Sequence, residues 1–267
     1  MNKLPYIAGF CLLVLLYSKR VQIYGMYARY DNAPQHRAFL HVPHIVISQA
    51  HIPTVLHDRM AIMKSGLTNF SNKGLVISSV MDACKTHAET IPKEFFTDDI
   101  CVLDYLDLSF SGGYAFSAHT DTEWNAISNE GYQAWVLVHN NNKQKIGNIV
   151  FIYNEYIDTK YRGSGYTLLV RDPFLVINKN CGIFSKNVLL EKVDLQWFFK
   201  NTTVFYLDID EGDCCVFDRS LCHMSDVRGS AERHAINFRV IKGDPNFTKG
   251  CGYVKNPRCA YRTGPRA

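Results

Sequence analysis

The hydrophobic and polar positions of this chain change their spacing near residue 100. Before that point, residues 52–64 and 75–90 carry apolar side chains at helical spacing, and each stretch is predicted to form a helix. After it, short apolar or alternating runs are separated by Gly, Asn, Asp and Pro, which is typical of strands joined by turns. The predicted strands cover residues 100–108, 114–119, 133–138, 148–153, 166–170, 174–177, 204–209, 214–217 and 235–241.

Many short strands at this spacing predict a mainly β fold with flanking helices, either a sandwich or a barrel. A jelly roll is one such fold, and it brings strands that are distant in the sequence side by side. One helix is predicted to interrupt the strands at residues 189–200. The chain is expected to divide into an apolar segment, an extension with supporting helices, a β core and a basic tail. The predicted boundaries are 1–20, 21–98, 99–245 and 246–267.

Composition is that of a globular protein with ample core material, with 47% hydrophobic and 20% charged residues. The net charge of +4 comes partly from the C-terminal tail, which we interpret as solvated, so no nucleic-acid partner is expected. The nine cysteines include no Cys-x-x-Cys pair, so no structural zinc site is predicted. Cys214 and Cys215 are expected in the core, whereas Cys251 and Cys259 could form a disulfide in an oxidising compartment.

An apolar run at residues 4–17 is flanked by basic residues on both sides. It is shorter than the roughly 20 residues that a transmembrane helix usually needs, and no clear cleavage site follows it. A signal anchor, a cleaved signal peptide and a helix packed on the domain all remain open. A signal anchor would attach the protein to a membrane of the secretory pathway. A cytoplasmic location is the alternative. Sequons at Asn69, Asn201 and Asn246 matter only if the domain is lumenal.

The candidate chemistry begins at His119-Thr120-Asp121. Side chains alternate along an extended strand, so His119 and Asp121 point to one side and Thr120 to the other. Far along the chain, a turn, an apolar strand and a short loop lead to His223. Two imidazoles and one carboxylate on one face of a metal, with the other positions open, are typical of non-haem Fe(II) oxygenases. We therefore predict that His119, Asp121 and His223 are metal ligands.

An arginine is expected in the same cavity. Arg233 follows His223 by ten residues and opens the next predicted strand, whose antiparallel return would bring it to the site. Its planar set of donors suits a carboxylate. Arg239 is the competing candidate, and six residues further along the strand it is expected at the far end.

These residues resemble the phytanoyl-CoA dioxygenase-like family of Fe(II)/2-oxoglutarate-dependent oxygenases. The resemblance covers residues 100–242 and rests on four features: the His-x-Asp motif, the strand pair that contains Trp135 and continues at Gly147-Asn148, the segment from Gly212 to Ser225, and Arg233 followed by Ala235-Ile236. It implies a double-stranded β-helix. It also implies that His119, Asp121 and His223 bind Fe(II).

By the same resemblance, Arg233 would bind the distal carboxylate of 2-oxoglutarate, helped by the hydroxyl of Ser225, and Trp135 would line the pocket. O2 would be the second co-substrate, and a small-molecule or lipid-like substrate would be hydroxylated. Residues 153–156 depart from the family pattern, so phytanoyl-CoA itself is not expected as the substrate. A prolyl-type hydroxylase of protein side chains and a non-catalytic jelly-roll binding module are the alternatives.

Overall fold

A computed structural model describes residues 46–48, 52–64, 66–86, 100–110, 118–121, 131–143, 146–179, 188–226, 228–229, 231–242 and 261–262. Within these residues, strands dominate and three α-helices are present. The strands are β1 (Val46–Ser48), β2 (Met60–Met63), β3 (Ile100–Phe110), β4 (Tyr132–Asn140), β5 (Ile149–Tyr153), β6 (Tyr166–Arg171), β7 (Phe174–Lys179), β8 (Val188–Asp194), β9 (Thr203–Tyr206), β10 (Cys214–Asp218), β11 (His223–Ser225), β12 (Arg233–Lys242) and β13 (Tyr261–Arg262). The helices are α1 (Lys73–Thr86), α2 (Glu155–Tyr161) and α3 (Leu195–Lys200).

Two sheets form the core of the fold. The larger has the strand order β13-β3-β12-β4-β10-β2, and the smaller has the order β1-β9-β5-β11. From β3 to β12 the chain passes back and forth between them, and His119 adds a short bridge to β11 of the smaller sheet. Neighbouring strands are antiparallel except for β1 and β9. This alternation between two facing sheets is a double-stranded β-helix, and the predicted fold class is confirmed.

Three apolar clusters hold these layers together. One packs α1 against the outer face of the larger sheet, and a second packs α2, α3 and β6 to β8 against the outer face of the smaller one. The third lies between the sheets and joins Trp135, Phe217 and Ala235 of the larger sheet to Phe151 and Phe205 of the smaller. Side chains on the inner faces therefore meet in one interior, where any shared site must lie.

The helix predicted at residues 75–90 is confirmed over residues 75–86 as part of α1, and residues 87–90 lie outside the described residues. The helix predicted at residues 52–64 is wrong. That segment forms a short 3₁₀ helix, Thr54–Leu56, followed by β2, which pairs with the edge of β10. Four apolar residues in a row fit a buried strand as well as a helix, so periodicity alone could not decide between them. Cys214 and Cys215 are fully buried as predicted, and Cys251 and Cys259 lie outside the described residues.

The helix predicted at residues 189–200 is only half right. The first part is β8, which pairs with β7, and only the second part is the helix α3. The side chain of Asp194 accepts a hydrogen bond from the backbone N–H of Trp197 at 2.7 Å, which caps the helix and fixes where it begins. Helix α2 was not predicted, and Asn154 caps it in the same way through Ile157.

No helix among the described residues is long and apolar enough to cross a membrane. The apolar run at residues 4–17 lies outside those residues, and so do most of residues 21–51 and of the tail. The predicted anchor and the predicted domain boundaries stay predictions.

Candidate metal centre

His119 and His223 are held side by side by their own backbones. Each donates its N–H to the carbonyl of the other at 2.9 Å, so the two residues form a narrow antiparallel pair. The hydroxyl of Thr120 accepts a hydrogen bond from the N–H of Tyr166 at 2.8 Å, on the side away from the imidazoles. The alternation expected from an extended His-x-Asp segment is therefore present.

Asp121 is fixed from the opposite direction by Arg219, which is completely buried. The backbone N–H of Asp121 donates to the carbonyl of Arg219 at 2.9 Å, and the Arg219 guanidinium donates to the carbonyl of Asp121 at 2.9 Å. Both backbone polar groups of Asp121 are therefore held by Arg219, and from this fixed position the carboxylate lies beside the two imidazoles.

The three side chains meet as candidate ligands. One ligand atom from each of His119, Asp121 and His223 lies within 4.8 Å of the others. Asp121 Oδ1 is 3.6 Å from Nε2 of His119, and Asp121 Oδ2 is 3.7 Å from Nε2 of His223. The imidazole centroids are 4.6 Å apart. These separations are too long for hydrogen bonds and suit three donors arranged around one cation.

The protonation of His223 suits a metal ligand. Its Nδ1 lies 3.0 Å from the carbonyl oxygen of Leu221, and since a carbonyl only accepts, Nδ1 carries the proton and Nε2 offers its lone pair to the site. Burial, followed by the neighbouring His119, lowers the pKa of His223 to about 4, so the ring is neutral at physiological pH.

The carboxylate of Asp121 stays ionised although it is buried. Burial alone would raise its pKa, but Arg239 and the two imidazoles outweigh that effect and hold the pKa well below its ordinary value. Arg239 donates to Asp121 Oδ1 at 3.0 Å. Oδ2 is buried and has no hydrogen-bond partner among the described residues, which is costly unless a ligand binds there. The donor set and this unpartnered oxygen fit a divalent cation.

Arg233 is the first residue of β12 and shares the inner face of that strand with Ala235. It is 4% exposed, and its Nη1 donates to the carbonyls of Gly147 and Asn148 at 2.8 and 2.6 Å. Its guanidinium carbon is 5.4 Å from the centre of a Trp135 ring. Burial lowers the pKa of Arg233 to about 10, and Asp226 opposes that shift, so the group is charged at neutral pH.

Ser225 lies near the carbonyls that Arg233 contacts. It follows His223 by two residues on β11 and shares its face, and it pairs with Ile149, next to the carbonyl of Asn148 that accepts from Arg233. The predicted co-substrate residues Arg233, Ser225 and Trp135 are thus brought toward one region, and their roles stay predictions.

The expected position of Arg239 is wrong. It does not lie at the far end of the strand from the site, because its long side chain reaches the carboxylate of Asp121. Arg219 was not identified at all from the sequence. Its place directly after β10 was the only available signal, and that position does not by itself indicate burial.

Comparisons with known proteins give no family for this chain. No protein-family model matches it, and no curated protein matches it. Among solved structures, the non-haem monooxygenase ThoJ in a nickel complex is 13% identical with a TM-score of 0.31, over 61% of this chain and 50% of that one. The chain therefore spans about half the length of ThoJ.

Two other structures are covered more fully. The non-haem alpha-ketoglutarate-dependent epimerase SnoN from nogalamycin biosynthesis is 10% identical with a TM-score of 0.38, over 79% of this chain and 91% of that one. HygX from Streptomyces hygroscopicus, with nickel and 2-oxoglutarate bound, is 9% identical with a TM-score of 0.36, over 77% and 97%. Sequence identities and TM-scores this low say nothing about the activity of this chain. The candidate site is identified from the geometry of its own residues.

Proposed function

We propose that this protein is an Fe(II)/2-oxoglutarate-dependent dioxygenase. The observation that carries the proposal is the convergence of His119, Asp121 and His223 inside a double-stranded β-helix, with a buried carboxylate oxygen that has no hydrogen-bond partner among the described residues. Two imidazoles and one carboxylate leave the remaining metal positions open, as O2-dependent chemistry at iron requires.

The site residues divide into metal ligands and co-substrate-binding residues. His119, Asp121 and His223 would hold Fe(II), and the hydrogen bond from His223 to the Leu221 carbonyl keeps the correct nitrogen facing the metal. The Arg233 guanidinium would bind the distal carboxylate of 2-oxoglutarate, with Ser225 and Trp135 beside it. When bound, iron with 2-oxoglutarate and O2 supplies oxidative decarboxylation coupled to substrate hydroxylation.

Retention of the carboxylate at position 121 favours hydroxylation over halogenation, since a halide would need that metal position. For the substrate we propose a small molecule or lipid-like compound, as in enzymes of the phytanoyl-CoA dioxygenase-like branch. The departure at residues 153–156 argues against phytanoyl-CoA itself.

Succinate formation tests the proposal without knowledge of the substrate. Purified protein with Fe(II), ascorbate, O2 and 2-oxoglutarate is expected to form succinate slowly in the absence of added substrate, and Asp121→Ala is expected to form none. Asp82→Ala is a matched control, because Asp82 lies on α1 with a side chain that is 70% exposed. Succinate formation by Asp121→Ala at the wild-type rate would refute the site, and its absence from wild-type protein that binds Fe(II) would indicate a non-catalytic module.

A further inference from the structure

Arg59 is a buried arginine that has no role in the site described so far. It lies directly before β2, and its side chain is 6% exposed. Burial lowers the pKa of Arg59, but hydrogen bonds and charges from two carboxylates outweigh that effect and raise the pKa, so the guanidinium is charged. A charge inside a protein is costly unless it is paired and hydrogen-bonded, and Arg59 has both kinds of contact.

The guanidinium of Arg59 joins helix α2 to the turn at residues 218–221, which leads from β10 toward β11. Its Nη1 donates to Oδ1 of Asp158 on α2. Its Nε donates to Oδ2 of Asp218 at 3.1 Å, and its Nη2 donates to Oγ of Ser220 at 2.6 Å. Since the three partners lie 99, 159 and 161 residues away along the chain, Arg59 connects segments that local structure alone would not hold together.

The 218–221 turn has a fixed shape of its own. The backbone N–H of Leu221 donates to the carbonyl of Asp218 at 2.9 Å, which closes the turn. Ser220 donates its backbone N–H and its hydroxyl to Oδ1 of Asp218, at 2.8 and 2.7 Å. The carbonyl of Arg59 accepts a hydrogen bond from the N–H of Asp218 at 2.8 Å, so the backbone and the side chain of Arg59 hold the same turn.

The remaining two residues of the turn contact candidate metal ligands. Arg219 holds the backbone N–H and the carbonyl of Asp121, and the carbonyl of Leu221 holds Nδ1 of His223. One short turn therefore lies between Arg59 and two of the three ligands. Groups that hydrogen-bond to metal ligands set the orientation of those ligands, so a displaced turn would misplace two of them at once.

We propose that Arg59 is a positioning residue of the metal centre. It fixes the 218–221 turn, and the turn fixes Asp121 and His223 in the arrangement that a metal ion requires. The inference rests on the proposed function and extends the site to a segment far outside the β core in sequence. It gives that segment a role in metal binding, which Arg59 exerts through the turn and not by contact with the metal.

The test measures the binding of Ni(II) and Co(II) to two variants without O2. Arg59→Met removes the guanidinium and keeps an unbranched apolar stem, and calorimetry is expected to show an affinity for Ni(II) about tenfold or more below that of wild type. Ser220→Ala removes one link between Arg59 and the turn, and a loss of about threefold or more is expected from one hydrogen bond. The visible absorption bands of bound Co(II), which report ligand geometry, are expected to change in both variants.

Asp158→Asn is the matched control. Asp158 is 8% exposed and contacts the same guanidinium, but among the described residues its carboxylate makes no hydrogen bond to the 218–221 turn. Removal of its charge is expected to lower the urea midpoint, because a buried ion pair is broken. The affinity for Ni(II) and the Co(II) bands are expected to stay as in wild type, so the control separates positioning of the ligands from stability of the fold.

The outcomes separate the two proposals. If wild-type protein binds neither Ni(II) nor Co(II), the proposed function fails. If wild type binds them and Arg59→Met and Ser220→Ala match its affinity and its bands, only the role of Arg59 is overturned. The same holds if all three variants lose affinity in proportion to their urea midpoints, since Arg59 would then stabilise the fold alone. If Arg59→Met does not fold, Ser220→Ala and the control decide between these outcomes.

Discussion

Removal of the Asp121 carboxylate is expected to destabilise the metal-free protein as well as to abolish metal binding. The guanidinium of Arg239 donates to Asp121 at 3.0 Å, and the two side chains are 12% and 4% exposed. Asp121→Ala takes this carboxylate away from a buried cation. Breaking such a pair costs about 3–5 kcal/mol, and the partial exposure of Arg239 places the expected loss near the lower end, about 3 kcal/mol.

The assay is urea unfolding in the presence of a chelator, for the single variant and for Asp121→Ala combined with Arg239→Met. With a urea dependence of about 3 kcal/mol per molar, the single variant is expected to lose roughly 1 M in its midpoint. The double variant removes both charges and is expected to regain most of that loss, since replacing both members of a buried pair is far less costly than removing one.

A double variant that is as unstable as the single one would refute this reasoning, because the cost would then not come from the buried guanidinium. Equal midpoints for wild type and the single variant would refute it too, and would mean that Arg239 does not depend on Asp121.

Three further predictions concern other parts of the molecule. Arg233→Ala is expected to weaken 2-oxoglutarate binding about 30-fold or more in calorimetry, and unchanged affinity would assign the distal carboxylate to another residue. Gly212→Ala is expected to lower the free energy of unfolding by about 2 kcal/mol in urea melts, because Gly212 has φ +86° and a Cβ there would lie 2.5 Å from the carbonyl oxygen of Leu67; a neutral substitution would contradict this geometry. Burial raises the pKa of Asp218, but Arg59 and the hydrogen-bond partners of the carboxylate lower it by more, so the pKa lies below its ordinary value of 3.8. The ion pair of Asp218 with Arg59 therefore stabilises the protein above that pH, and the stabilisation is lost as the pH falls below it. Urea midpoints of Asp218→Asn are therefore expected to depend less on pH than those of wild type in that range, and an identical pH profile would exclude this contribution.

The strand pattern and the metal motif could be predicted from the sequence because both are local. Turn residues bound an apolar run at β4 and an alternating run at β12, and the period of 2 in an extended chain places His119 and Asp121 on one side. The pairing of this segment with His223 required only that the fold bring distant strands together, which a jelly roll does.

Segments whose structure depends on a distant partner could not be predicted in this way. The four apolar residues of β2 form a strand because the edge of β10 is available to them, and β8 is a strand because β7 pairs with it. Neither partner is visible within the local window, where a short apolar run suits a helix equally well.

The sequence by itself thus determined that the chain forms a β sandwich or barrel and that one segment carries two metal-binding residue types on one side. Only the tertiary structure decided that Arg239 reaches Asp121, and that the side-chain oxygens of Gln133 and Asn237 are buried without hydrogen-bond partners in the described part of the chain. The physical reason is that hydrogen bonds and burial depend on which faces of distant strands meet. That meeting is set by sheet register, which the local sequence pattern does not contain.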